Sequence, residues 1–193
     1  MKTIRSPRSK GSTRKYENRE TTFIRNIILI GLPGAGKSTI GVILAKTFGM
    51  NFVDTDILIQ EQTGRLLQEL IDSMGPDTFL SIEEETILTQ DASNAVIATG
   101  GSAVFSRRAM EHLKSDGIVL YLKIPFEGMV RRLNNITTRG IVLYGGQSLR
   151  DMYNQRIPLY EKYADITIDC SDEKFERIVE KVIEEINKKI SRY

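Results

Sequence analysis

Asn26-Ile27-Ile28-Leu29-Ile30-Gly31-Leu32-Pro33-Gly34-Ala35-Gly36-Lys37-Ser38-Thr39 is the stretch that decides the fold. An apolar, mostly β-branched run ends at a glycine, as expected of a short parallel strand buried on both faces. The glycine-rich loop that follows satisfies G-x-x-x-x-G-K-[ST]. It opens onto helical spacing, with Ile40, Ile43, Leu44, Thr47 and Phe48 ahead of a stop at Gly49. Glycines in such a loop permit positive φ and close approach, so successive N–H groups point inward at phosphate oxygens. The helix start adds its dipole and its unbonded donors. Gly34, Ala35, Gly36, Lys37, Ser38 and Thr39 are therefore the expected cradle for the phosphates of ATP. Lys37 supplies a point charge for the β- and γ-phosphates, and the Ser38 hydroxyl is a ligand for Mg²⁺. Kinases, switches and motors share this cradle, so it fixes the ligand class and leaves the reaction open.

Outward from the cradle, Asn51-Phe52-Val53 reads as a second strand and completes a βαβ unit. Helical patterns follow over 57–63, 66–74 and 77–91, then a third strand over 95–98, a helix over 106–115 and a fourth strand over 118–122. Pro125 can open a helix running to about residue 134 without losing a needed N–H. Residues 135–147 contain three glycines and little periodicity, which marks a loop. A helix over 148–163 and a strand over 166–168 come next. Phe175, Ile178, Val179, Val182, Ile183, Ile186 and Ile190 then line one face of a last helix, with Glu184 and Lys188 spaced to pair on the other. Strands alternating with helices predict an α/β fold, a three-layer α/β/α sandwich with a five-stranded parallel sheet of the P-loop NTPase type.

With 193 residues, 40% hydrophobic and 27% charged, the chain has the proportions of one domain, expected over 25–193. Its apolar runs, Ile27 to Ile30 among them, fall far below the roughly 18 residues that a membrane span needs. A single cysteine, Cys170, cannot form an internal disulfide, which favours a reducing cytoplasm, and it reads as a small buried hydrophobe. Residues 1–25 carry eight lysines or arginines against Glu17 and Glu20, so the rest of the chain is acidic although the whole carries +2. Residues 1–24 have too little apolar surface to offset chain entropy and are expected to form a disordered basic tail. A solvated extension, a nucleic-acid-binding arm and a targeting peptide all stand for it. Nucleic-acid binding rests on this tail alone, and the folded part is expected to be a monomer.

Asp54-Thr55-Asp56 follows the second strand, at the sheet edge where open α/β folds place ligands. One reading makes these acids a helix N-cap. The other divides work between them, Asp54 holding the Mg²⁺ hydration shell and Asp56 orienting or deprotonating an acceptor hydroxyl. Three further features bear on the choice: Ala98-Thr99-Gly100-Gly101, Arg139 in the glycine-bearing loop, and Arg156-Ile157-Pro158-Leu159-Tyr160 running on to Ala164-Asp165. In this order, together with the phosphate loop, they resemble the shikimate kinase family from about Asn26 to Asp169. The resemblance implies a shikimate-phosphorylating enzyme of aromatic amino-acid biosynthesis that uses ATP and Mg²⁺. In it Asp56 contacts the shikimate hydroxyls and serves as base, while Gly100 and Gly101 form the substrate-binding glycine loop. Arg156 grips the substrate carboxylate, and Arg139 swings over ATP to neutralise the transferring phosphoryl group. Residues 135–147 are then a mobile lid excluding water, or else a plain surface loop.

The chain departs from the family pattern on the acceptor side. The family has an F-R-x-x-E stretch whose arginine is a second carboxylate anchor, and here the run is Phe79-Leu80-Ser81-Ile82-Glu83. The third glycine is Ser102, and Gly140 stands where a proline is common after the lid arginine. Arg107 and Arg108 are candidates to replace the missing anchor. Another small polyol acid as acceptor, or a binding homologue with weak turnover, remain alternatives to shikimate.

Overall fold

The computed structural model describes residues 26–133, 140–171 and 174–191. The basic tail and Arg139 lie outside these residues. Strand β1 (Asn26–Ile30) is buried along its whole length, between β3 (Ala95–Ala98) and β4 (Gly117–Lys123). With β2 (Asn51–Asp54) and β5 (Ile166–Asp169) at the two edges, the sheet order is β2-β3-β1-β4-β5 and every pairing is parallel. Leu29 lies opposite Ala98 on one side and Leu120 on the other, so the strands end nearly level. The expected α/β architecture with five parallel strands is the one observed. Edge position explains why β2 is not a wholly apolar run: Asn51 is exposed and the rest half-buried.

Helix α1 (Lys37–Phe48) packs on β1, β2 and β3, and α8 (Phe175–Ile190) packs on α1 and β5. Helices α5 (Arg107–Ser115) and α7 (Leu149–Tyr163) pack against β4, and α4 (Pro76–Thr89) against α5. The main core fills the space between these layers, with Ile28, Leu29, Leu44, Leu120 and Val182 inaccessible to solvent. Helix α6 (Phe126–Leu133) follows β4. Helices α2 (Thr55–Thr63), α3 (Leu67–Met74) and α4 form an excursion between β2 and β3 with a core of its own: Ile59, Leu67, Leu70, Ile71, Phe79 and Val142. Val142 belongs to the segment expected as a lid, so part of that segment is a packed plug under the excursion. Gly140 lies closer still: a Cβ there would lie 2.5 Å from Leu67 Cβ. A residue larger than glycine does not fit without moving α3.

Element boundaries differ from the pattern-based ones for local reasons. Helix α1 starts at Lys37, two residues early, because Gly36 at φ 96° already turns the chain into it. Pro76 opens α4 after Gly75, its missing N–H costing nothing at the first helical position. A single 3-10 turn, Ala103–Phe105, was not signalled by any periodicity. Lys188 pairs with Glu185 at 2.7 Å. Among the described residues no helix is long and apolar enough to cross a membrane.

Leu44 has no exposed surface and joins α1 to the sheet. Leu44→Ala is expected to lower unfolding free energy in urea by about 2 to 5 kcal/mol, through lost burial and the cavity left behind. A loss below about 1 kcal/mol contradicts this placement of the core.

Candidate functional site

The loop between β1 and α1 takes its shape from two left-handed glycines, Gly34 at φ 80° and Gly36 at φ 96°. Gly36 caps α1 with no side-chain hydrogen bond, so no side chain caps the first-turn N–H groups. Lys37 is buried and folds back on the loop, donating from Nζ to Gly31 O at 2.8 Å and Leu32 O at 3.1 Å. Ser38 is half-buried and Thr39 exposed on the same turn, while Ala35 is buried. Arg132 of α6, ninety-eight residues further on, donates to Gly34 O at 3.1 Å. It brings a second cation to the loop that sequence reading missed, because nothing in the spacing along α6 marks it.

Ser38 and Asp54 meet across the end of β2. The Ser38 hydroxyl donates to Asp54 Oδ2 at 2.7 Å, and Asp54 Oδ1 accepts from the Asp56 backbone N–H at 3.0 Å. Asp54 is thus the N-cap of α2 and the partner of Ser38 at once, so both readings of the acidic pair describe the same side chain. Two hard oxygens beside a phosphate cradle fit Mg²⁺, which takes one or two protein ligands and completes its shell with water and phosphate oxygens. Accordingly, among the described residues no cluster of three acidic, histidine or cysteine side chains could hold a metal alone.

The turn after β3 brings the other expected residues together. Gly100 N donates to the buried Thr55 hydroxyl at 3.0 Å, which ties this turn to the start of α2. A Cβ on Gly100 would run into Glu83 Oε1 and lie 2.9 Å from Asp56 Oδ1, so both carboxyls close on one glycine. A Cβ on Gly101 would lie 3.0 Å from Arg156 Nη1 and 3.0 Å from Pro33 Cδ, so the same turn touches the guanidinium and the phosphate loop. Asp56, Gly100, Gly101 and Arg156 therefore share one site beside the cradle. Tyr160, one turn after Arg156 on α7, donates to Gly101 O at 2.6 Å and braces the turn. Burial pushes its hydroxyl up to about 12.

Arg156 is 1% exposed, donates from Nη2 to Val142 O at 2.8 Å, and has no partner for Nε. Its guanidinium carbon lies 5.4 Å from the Phe105 ring centre. A buried guanidinium with an unbonded N–H is a site waiting for an anion, because leaving it so costs free energy. Val142 supplies the one carbonyl that holds it, and no sequence pattern pointed to that contact.

Glu83 is a buried acidic side chain at the same turn that motif reading left as a mere pattern position. It sits with Phe79, Thr86 and Ile87 on the buried face of α4, 1% exposed, and its Oε1 has no hydrogen-bond partner. A carboxylate in an apolar stripe at helical spacing was the signal available. Burial first, then the nearby charge of Asp56, pushes it up to about 7, opposed by a Ser102 hydrogen bond and by Arg156 and Lys37. The proposed replacement anchors do not reach this place. Arg107 pairs with Glu111 at 2.6 Å and Arg108 with Glu84 at 2.6 Å, both arginines largely exposed. Helix α5 turns its basic residues outward because Ala109, Met110 and Leu113 occupy its inner face. Leu80, Ser102 and Phe105 instead line one cavity of about 340 Å³.

A family model described as shikimate kinase matches residues 33–187. A shikimate kinase of Thermodesulfovibrio yellowstonii is 36% identical over 84% of this chain and 95% of its own. One from Thiobacillus denitrificans is 39% identical over 76% and 81%. The structure of a shikimate kinase from Acinetobacter baumannii, solved in complex with shikimate, superposes with a TM-score of 0.77. It is 31% identical and covers 86% of this chain and 94% of its own.

Because burial raises the folded-state value of Glu83 above that of an unfolded glutamate, its neutral form favours the fold. Its share of stability is complete below about pH 4.5 and is lost as pH rises toward about 7. Thermal unfolding followed from pH 5 to 8 is expected to show a falling midpoint that flattens in Glu83→Gln. Parallel curves for the two proteins contradict this.

Proposed function

The chain belongs to the shikimate kinase family, and on that premise we propose that it transfers the γ-phosphoryl group of ATP to the 3-hydroxyl of shikimate, giving shikimate 3-phosphate and ADP. The observation that carries the reading is the Gly100–Gly101 turn, which Asp56 and Arg156 approach on one side and Pro33 of the phosphate loop on the other. An anionic alcohol held there lies next to the cradle. Its carboxylate meets the Arg156 guanidinium, whose Nε has no partner, in the fork geometry that suits bidentate binding.

Transfer forms a bond from phosphorus to the acceptor oxygen as the bond to the ADP oxygen breaks. Asp56 takes the hydroxyl proton. Lys37 leaves the loop carbonyls for the β- and γ-phosphates, whose growing charge it offsets with the inward N–H groups of Gly34 to Thr39. Ser38 and Asp54 would hold Mg²⁺, which would supply charge neutralisation to the phosphates. The resemblance gives Arg139, which lies outside the described residues, the role of neutralising the transferring phosphoryl group. A different small polyol acid is the second reading. Leu80 favours it, since an apolar side chain stands where the family pattern has an arginine.

A coupled ADP-release assay across shikimate, quinate, gluconate and nucleoside monophosphates decides between them. Shikimate is expected to give the highest kcat/KM, and Lys37→Ala and Asp56→Asn each to cut it by about 10²- to 10⁴-fold. Turnover surviving both substitutions points to another site or a contaminant. Leu80→Arg is expected to lower the KM for shikimate about tenfold, the worth of one charge-assisted hydrogen bond. An unchanged or raised KM favours another acceptor.

A further inference from the structure

We propose that Glu83 is a positioning residue of the acceptor site that works as a neutral carboxylic acid and so leaves the Arg156 guanidinium available to the acceptor's carboxylate. This deepens the kinase reading and rests on it.

The argument starts from what surrounds a carboxyl that solvent does not reach. Glu83 shares the Gly100 turn with Asp56, and its Oε1 has no hydrogen-bond partner. Its own helix offers no cation, because the residue one turn earlier is Leu80. Helix α5 presents Arg108 to Glu84, on the other side of α4. The charged groups that act on Glu83 are Asp56 from α2, Lys37 from α1 and Arg156 from α7, with Tyr160 beside Arg156. Ser102, Arg156 and Lys37 favour its ionised form, and burial together with Asp56 outweighs them.

An ionised Glu83 would stand beside the Asp56 carboxylate and claim Arg156. The acceptor's carboxylate would then enter as a further anion with no cation left to meet it. A neutral Glu83 removes that conflict: Asp56 remains the one anion at Gly100, and Arg156 keeps its charge and its unbonded Nε for the ligand. Burial and the neighbouring Asp56 both hold the proton on Glu83. Leu80, one of the departures on this side, leaves that carboxyl with no neighbouring cation on α4.

Steady-state kinetics with shikimate from about pH 6 to about pH 8.5 test this in the full chain. Wild type is expected to show a KM that rises about tenfold over this range, with kcat changing much less, as Glu83 loses its proton and takes Arg156. Glu83→Gln, isosteric with the neutral acid, is expected to hold KM within about twofold across the same range. Ser102→Ala is expected to move the rise to higher pH, since its hydrogen bond favours the ionised form; a purely structural role would lower stability and leave the profile where it was. A Glu83→Gln enzyme that follows the wild-type pH dependence, or that folds and loses turnover about a hundredfold, overturns the proposal. Infrared spectroscopy near pH 6 gives an arm that needs no substrate: a buried carboxylic-acid carbonyl band present in wild type and missing in Glu83→Gln supports it, and its absence from wild type overturns it. Failure of wild type to phosphorylate shikimate at any pH is a different result, since it overturns the kinase reading itself and with it the acceptor role of Glu83.

Discussion

Parallel pairing of β1 with β3 on one side and β4 on the other sends all three strands out at the same edge, and every part of the site depends on it. The phosphate loop follows β1, the Gly100 turn follows β3, and Asp54 closes β2 at that edge too. Residues distant in sequence meet there because the ladder leaves the strand ends level, within hydrogen-bonding reach of one another. An antiparallel β3 would carry the Gly100 turn to the opposite end of the sheet.

On that edge the molecule keeps charge out of water and only partly compensates it. Arg156 is buried, donates to the Val142 carbonyl and has one N–H left over, and Glu83 is buried with one unbonded oxygen. Neither arrangement serves stability, since a buried polar atom without a partner costs free energy. Both fit a ligand that carries a carboxylate and hydroxyls, which would supply the missing partners on binding. The free energy withheld from folding is then available for recognition, at a place rigid enough for it: Tyr160 and Thr55 pin the glycine turn from two different helices.

The sequence made the fold legible because each level agreed with the next. The β-branched run before Gly31, the stop at Gly49, the apolar face from Phe175 to Ile190 and the positions of all five strands were readable from period and punctuation alone. The cradle was legible because its chemistry lies in consecutive residues. What escaped reading depends on contacts across the fold. Arg132 reaches Gly34 from α6, and Val142 holds Arg156 while plugging the small core. Glu83 needed the knowledge that α4 turns this residue inward toward Asp56. The suggestion that Arg107 or Arg108 replaces a missing anchor failed for the same reason: proximity in sequence to the glycine turn does not say which face of α5 points at it.

The central claim is that phosphate cradle and acceptor pocket form one site, with the carboxylate end on Arg156 and the reacting hydroxyl on Asp56. A crystal structure of the chain with a non-hydrolysable ATP analogue, Mg²⁺ and shikimate tests it most directly. The account predicts the terminal phosphate enclosed by the amides of residues 34 to 39, the shikimate carboxylate on Arg156 and a ring hydroxyl between Asp56 and that phosphate. Shikimate bound away from the Gly100–Gly101 turn, or with its hydroxyls facing away from the phosphate, would contradict it.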